Sequence, residues 1–89
     1  MNRIEAYTLL CAILDEYRSF TWNQLAARVG APSDVRSLKH GESNYSIEIT
    51  TGWEGEKSDT IAVIATIGTL DWWALERMSE SILVRRHGS

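Results

Sequence analysis

Hydrophobic and polar positions change their period twice along this chain. Ile4, Tyr7, Leu10, Cys11, Leu14 and Tyr17 recur at three- and four-residue steps, and Leu9 and Ile13 widen the stripe. That spacing predicts an amphipathic helix over residues 3–18, with Asn2 as its N-cap and Glu5 placed to complete a capping box. Thr21 and Gln24 offer the same box to a second helix. Its buried face is Trp22, Leu25, Ala26 and Val29, and Gly30 ends it. Beyond Pro32, Ser33 can cap a third short helix through Lys39, with Val35 and Leu38 inward and Gly41 as its stop.

The period then falls to two. Tyr45, Ile47, Ile49, Thr51 and Trp53 share one side of an extended segment, and Ser46, Glu48 and Thr50 share the other. Alternation in residues that suit a pleated surface predicts a half-buried strand. Ile61 to Ile67 is apolar on both sides apart from Thr66, which predicts a more central strand. The polar residues Glu54 to Asp59, with one glycine, form the hairpin loop between them. Residues 71–86 break the alternation. Trp72, Leu75, Met78, Ser79 and Ile82 have helical spacing, with Asp71 at the start and arginines at the end. Periodicity alone predicts a C-terminal helix there.

From Tyr45 onward the chain resembles a group of small bacterial proteins of unknown function. The matching residues are Ile47-Glu48-Ile49, Trp53, Ile61 and Val63, Ile67, Trp72-Trp73-Ala74-Leu75, Met78, Ile82-Leu83-Val84 and Gly88. The resemblance covers about half of the chain. Asp71 departs from the group's glycine, Leu75 from its aromatic residue and Arg77 from its proline. A proline at that point does not tolerate a helix, so the resemblance implies two short strands over 71–86. It carries no activity that can be transferred.

The expected architecture is therefore α+β: two or three N-terminal helices packed on a small antiparallel meander of three or four strands, in a single domain over 1–89. The alternative keeps a C-terminal helix at 71–86 in place of the last strands. Eighty-nine residues with 44% hydrophobic content and four tryptophans suit one folded unit. No apolar run is long enough to cross a bilayer, and the N-terminus does not read as a signal peptide. A lone Cys11 forms no internal disulfide, so a cytoplasmic setting is expected.

Charge narrows the functional options. The net charge is −3, but residues 41–76 carry seven acidic groups against Lys57. Residues 21–39 resemble a helix-turn-helix, through Thr21-Trp-Asn-Gln-Leu25-Ala26, Val29-Gly30 and Val35-Arg36-Ser37-Leu38-Lys39. That resemblance implies a winged-helix-like DNA binder reading the groove with Ser33, Arg36, Lys39 and His40. The hairpin tip opposes it, because Glu54, Glu56 and Asp59 against one lysine repel a phosphate backbone. Histidines occur only at 40 and 87, without ligand spacing, and no glycine loop of the phosphate-cradling kind is present. No cofactor, metal or catalytic residue is expected. Adjacent tryptophans in a strand point to opposite faces, so one of Trp72 and Trp73, flanked by Met78, is the candidate contact with a protein partner or a second copy. The leading expectation is a non-enzymatic protein-interaction or self-association module.

Overall fold

A computed structural model describes residues 2–41, 43–55, 59–69 and 77–86. Helix α1 spans Arg3–Arg18 and a five-residue helix, α2, spans Trp22–Ala26. Four strands follow: β1 Asp34–His40, β2 Ser43–Trp53, β3 Thr60–Thr69 and β4 Arg77–Arg85. They form one antiparallel sheet in chain order, β1-β2-β3-β4. The α+β architecture stands, with the helices on one face of a four-stranded meander.

Both helix starts follow their capping chemistry. The Asn2 side chain accepts from the Glu5 N–H at 3.1 Å. Glu5 does not return the bond; its carboxylate turns instead to His40 of β1, 3.4 Å away. At α2 both halves of the box close, Thr21 with the Gln24 N–H and Gln24 with the Thr21 N–H. Gly30, at φ +84, takes the left-handed turn that ends this region.

The predicted third helix is a strand. Asp34 to His40 pairs with Ile49 to Ser43 along its whole length. Val35 and Leu38 have helix-like spacing, but the backbone groups of β2 on that side need partners. The hairpin is closed by two residues between His40 and Ser43, and Gly41 there has φ +61, as tight hairpin turns require. The N-terminal layer is thus one helix of 16 residues and a single short turn of helix, with a strand in place of the third.

At the other end, residues 77–85 are strand, not helix. This rejects the helical alternative over those residues; of the two short strands expected over 71–86, one strand is seen there. The rest of that segment, 70–76, lies outside the described residues.

The core lies between α1 and one sheet face. Ala6, Leu10, Ile13, Leu14 and Tyr17 from the helix meet Tyr45, Ile47 and Ile49 of β2, Ile61, Val63, Ala65 and Ile67 of β3, and Ile82 of β4. The pairing Ile47↔Ile67↔Met78 shows how one row crosses three strands on the covered side. Leu25 is fully buried, and Trp22 and Phe20 pack at the margin. Trp53 belongs to the covered row but is 45% exposed. Its ring lies 5.7 Å from that of Trp22, whose indole N–H donates to the Asp59 carbonyl at 2.7 Å.

Candidate interaction surface

Helix α1 sits off-centre. It packs mainly over β3 and β4, and its ties to β1 are made by long polar side chains. Arg36 Nη1 donates to Glu16 of α1 at 2.8 Å. The Tyr17 hydroxyl donates to Asp34 Oδ2 at 3.0 Å, and Arg36 Nε reaches the same oxygen at 3.2 Å. Burial first, and the bond to Asp34 second, raise the Tyr17 pKa above the usual tyrosine value. The hydrogen bond to Glu16 is the largest influence raising that of Arg36, with burial opposing it.

The opposite flank of α1 overhangs β4, the last strand of the sheet, and has nothing beyond it among the described residues. Two members of the predicted apolar stripe consequently stay in solvent: Ile4 is 81% exposed and Tyr7 49%. The Cys11 thiol first, and then the Glu80 carboxylate of β4, raise the Tyr7 pKa above the usual tyrosine value. Cys11 is half-buried on this flank.

The second sheet face carries no helix. From β1 to β4 it presents Val35, Ser37 and Lys39; Ser46, Glu48 and Thr50; Ile64 and Thr66; then Ser79, Ser81 and Leu83. Val35, Ile64 and Leu83 stand well exposed on it. Ile64 and Leu83 lie on adjacent strands one step apart, because Leu83 is opposite Ala62. The other half is polar. A depression of about 260 Å³ is lined by Ser46, Glu48, Thr66, Gly68, Thr69 and Arg77. The Thr66 and Ser79 hydroxyls bond to each other at its edge, 2.8 Å apart.

The residues expected to read DNA do not form a surface together. Ser33 precedes β1 and its hydroxyl bonds to that of Thr50 at 2.9 Å. Arg36 and His40 lie on the helix-covered side, engaged with Glu16, Asp34 and Glu5. Lys39 alternates to the uncovered face. Strand geometry separates what a helix would have aligned. Of the expected protein contact, Trp72 and Trp73 lie outside the described residues, and Met78 is half-buried on the covered side against the core. The exposed flank of α1 was hidden in the sequence, because a stripe at helical spacing does not show how much of it the sheet will cover.

Among the described residues, no group of three His, Cys, Asp or Glu is placed to hold a metal ion, and no helix is long and apolar enough to cross a membrane. The chain matches no protein-family model, no curated protein and no solved structure.

Proposed function

We propose that this protein is a non-enzymatic interaction module that self-associates through the flank formed by α1 and β4. The observation that carries this reading is the coincidence of exposed apolar side chains with the sheet's last strand. Ile4 and Tyr7 on the helix, and Leu83 with Ile64 on the sheet, border that side. Exposed apolar groups on both faces of one sheet edge suit a contact surface. The opposite side, at β1, also exposes Val35 and Leu38, but it holds inward-facing ion pairs of Arg36 with Glu16 and Asp34. The reading commits to a second copy as the occupant because this flank is symmetric in character, apolar at its centre with charges of both signs around it. Arg77 and Arg85 stand at the two ends of β4 and Glu80 lies between them.

Sedimentation velocity and light scattering over a dilution series test it. A concentration-dependent dimer is expected, weakened at least tenfold by the double substitution Tyr7→Gln, Leu83→Gln, with little change in the melting point of the dilute protein. A wild-type monomer up to about 1 mM, where even a weak dimer of about −4 kcal/mol is half-formed, would overturn the reading.

A further inference from the structure

We infer that the dimer forms by antiparallel pairing of β4 with β4 of a second copy, in the register that sets Ile82 opposite itself, giving one continuous eight-stranded sheet. This rests on the self-association reading above and specifies its geometry.

The direction of each backbone group on β4 follows from a single bond. The Glu54 N–H donates to the Thr60 carbonyl at 2.9 Å, extending a register that runs unbroken from Trp53↔Ile61 to Tyr45↔Thr69. Bonded and non-bonded pairs alternate along an antiparallel ladder. Even-numbered residues of β3 therefore bond to β2, and odd-numbered ones bond to β4. Ile61, Val63, Ala65 and Ile67 face Val84, Ile82, Glu80 and Met78. Those four direct their N–H and C=O groups to β3. Ser79, Ser81 and Leu83 direct theirs outward, and no described strand receives them.

The two edges of the sheet differ in how they are guarded. Edge strands avoid pairing by being short, by carrying lysine, or by pointing charges inward. β1 has all three: seven residues, Lys39, and inward Asp34 and Arg36 fixed to α1. β4 has nine residues, a single inward charge at Glu80 and no proline, glycine or lysine, and its run Ser81-Ile82-Leu83-Val84 carries no charge.

Charge then selects the register. Centred on Ser81, a two-fold pairing places Arg77 opposite the partner's Arg85, twice. Centred on Glu80, it opposes two carboxylates. Like charges directly opposite destabilise a strand pair. Centred on Leu83, only the span 81–85 is paired. Centred on Ile82, residues 79–85 pair without a like-charge contact, with about eight new backbone hydrogen bonds. Ile82 meets its own copy on the covered side, and Glu80 faces the partner's Val84. The exposed ring of Tyr7, beside Glu80, then covers that valine. On the uncovered side Ser81 faces the partner's Leu83, so the two Ile64–Leu83 patches join into one.

Two variants and a cross-link test this. Ser81→Pro removes an outward N–H but no bond to β3, a position where an edge strand tolerates proline. Ser81→Lys keeps the N–H and puts two like charges beside the axis. Each is expected to weaken the dimer at least tenfold by sedimentation while the monomer keeps its far-UV spectrum. On a Cys11→Ser background, a mixture of Ser81→Cys and Leu83→Cys proteins is expected to cross-link faster under mild oxidation than either alone, since a bonded pair sets Cα atoms about 5.5 Å apart. Fastest cross-linking by Ser81→Cys alone would overturn the register. A dimer indifferent to Ser81→Pro and Ser81→Lys would overturn edge pairing yet leave self-association standing. A wild-type monomer at all concentrations would overturn both.

Discussion

Ile67 and Ile64 sit three residues apart on β3 and point to opposite faces of the sheet, so the same truncation at each measures what the helix layer contributes. Ile67 is fully buried between Ile47 and Met78 under α1. Ile67→Ala removes its transfer free energy and leaves a cavity that the sheet cannot close, a cost of about 2–5 kcal/mol. Ile64 is 44% exposed on the uncovered face. Its truncation forfeits about half of the 1.5–3 kcal/mol of full burial, or roughly 1 kcal/mol, and leaves no cavity. The lower strand propensity of alanine applies to both and drops out of the difference. For 89 residues, total stability is about 4–13 kcal/mol, so Ile67→Ala removes a large share of it. At about 2.1 cal/mol/K of unfolding entropy per residue, the difference of about 1–4 kcal/mol separates the two melting points by roughly 5–21 °C. Thermal melts near 1 μM, repeated at a hundredfold higher concentration, provide the assay, because dimer formation raises the melting point with concentration. At low concentration Ile67→Ala is expected to melt well below Ile64→Ala, and only wild type and Ile67→Ala are expected to keep the full concentration dependence. Equal losses at the two sites, or a larger loss at Ile64, would refute the assignment of faces.

Two tyrosines offer the same substitution with opposite outcomes. Tyr17→Phe deletes the bond to Asp34, which retains Arg36, and is expected to cost about 1 kcal/mol by urea unfolding at pH 8. The Tyr45 hydroxyl is buried and has no hydrogen-bond partner among the described residues, so Tyr45→Phe is expected to be neutral or to stabilise by up to about 1 kcal/mol; a loss as large as that of Tyr17→Phe would show that the hydroxyl is satisfied after all. Because the folded pKa of Tyr17 is raised, the unfolded chain ionises first. Its contribution is complete below about pH 10, the unfolded value, and declines above it toward the folded value. Tyr17→Phe is expected to flatten this alkaline decline, and an unchanged slope between pH 9 and 11 would sink that attribution.

How much of this was legible in the sequence depended on whether the signal was local. The boundaries of α1, the capping box at Thr21 and the two-sided character of β2 and β3 follow from spacing and side-chain chemistry within a few residues, and the sequence conveyed them. β1 was missed because Asp34-Val-Arg-Ser-Leu-Lys-His alternates poorly; what makes it a strand is the unpaired edge of β2, a non-local demand. Gly41 was the one local hint, since glycine two residues before Ser43 suits a hairpin turn as well as a helix stop. Arg77 to Arg85 posed the reverse problem. Its helical spacing is real, but the free edge of β3 recruits it as a strand. The proposed contact surface was least legible, because the stripe on α1 did not reveal that Ile4 and Tyr7 would stay exposed.

A single displacement ties these features together. Had α1 been centred over β2 and β3, its apolar stripe would have been covered evenly and both sheet edges left alike. Set over β3 and β4 instead, it leaves the covered side of β1 to side chains long enough to reach it. Arg36 spans the gap to Glu16, Asp34 receives Tyr17, and His40 meets Glu5. The Arg36–Glu16 and His40–Glu5 pairs are each more than half in solvent on one partner, so their contribution to stability is small. Their effect is on specificity, since charges held inward along an edge strand make pairing with another chain unfavourable. The same displacement carries Ile4 and Tyr7 past β4, whose outward backbone groups at Ser79, Ser81 and Leu83 have no described partner. One edge is thereby closed by the residues that replace the helix, and the other is left open beside the residues the helix could not bury. In the proposed pairing, an asymmetry of that kind limits strand addition to a single closed pair instead of an open-ended fibre.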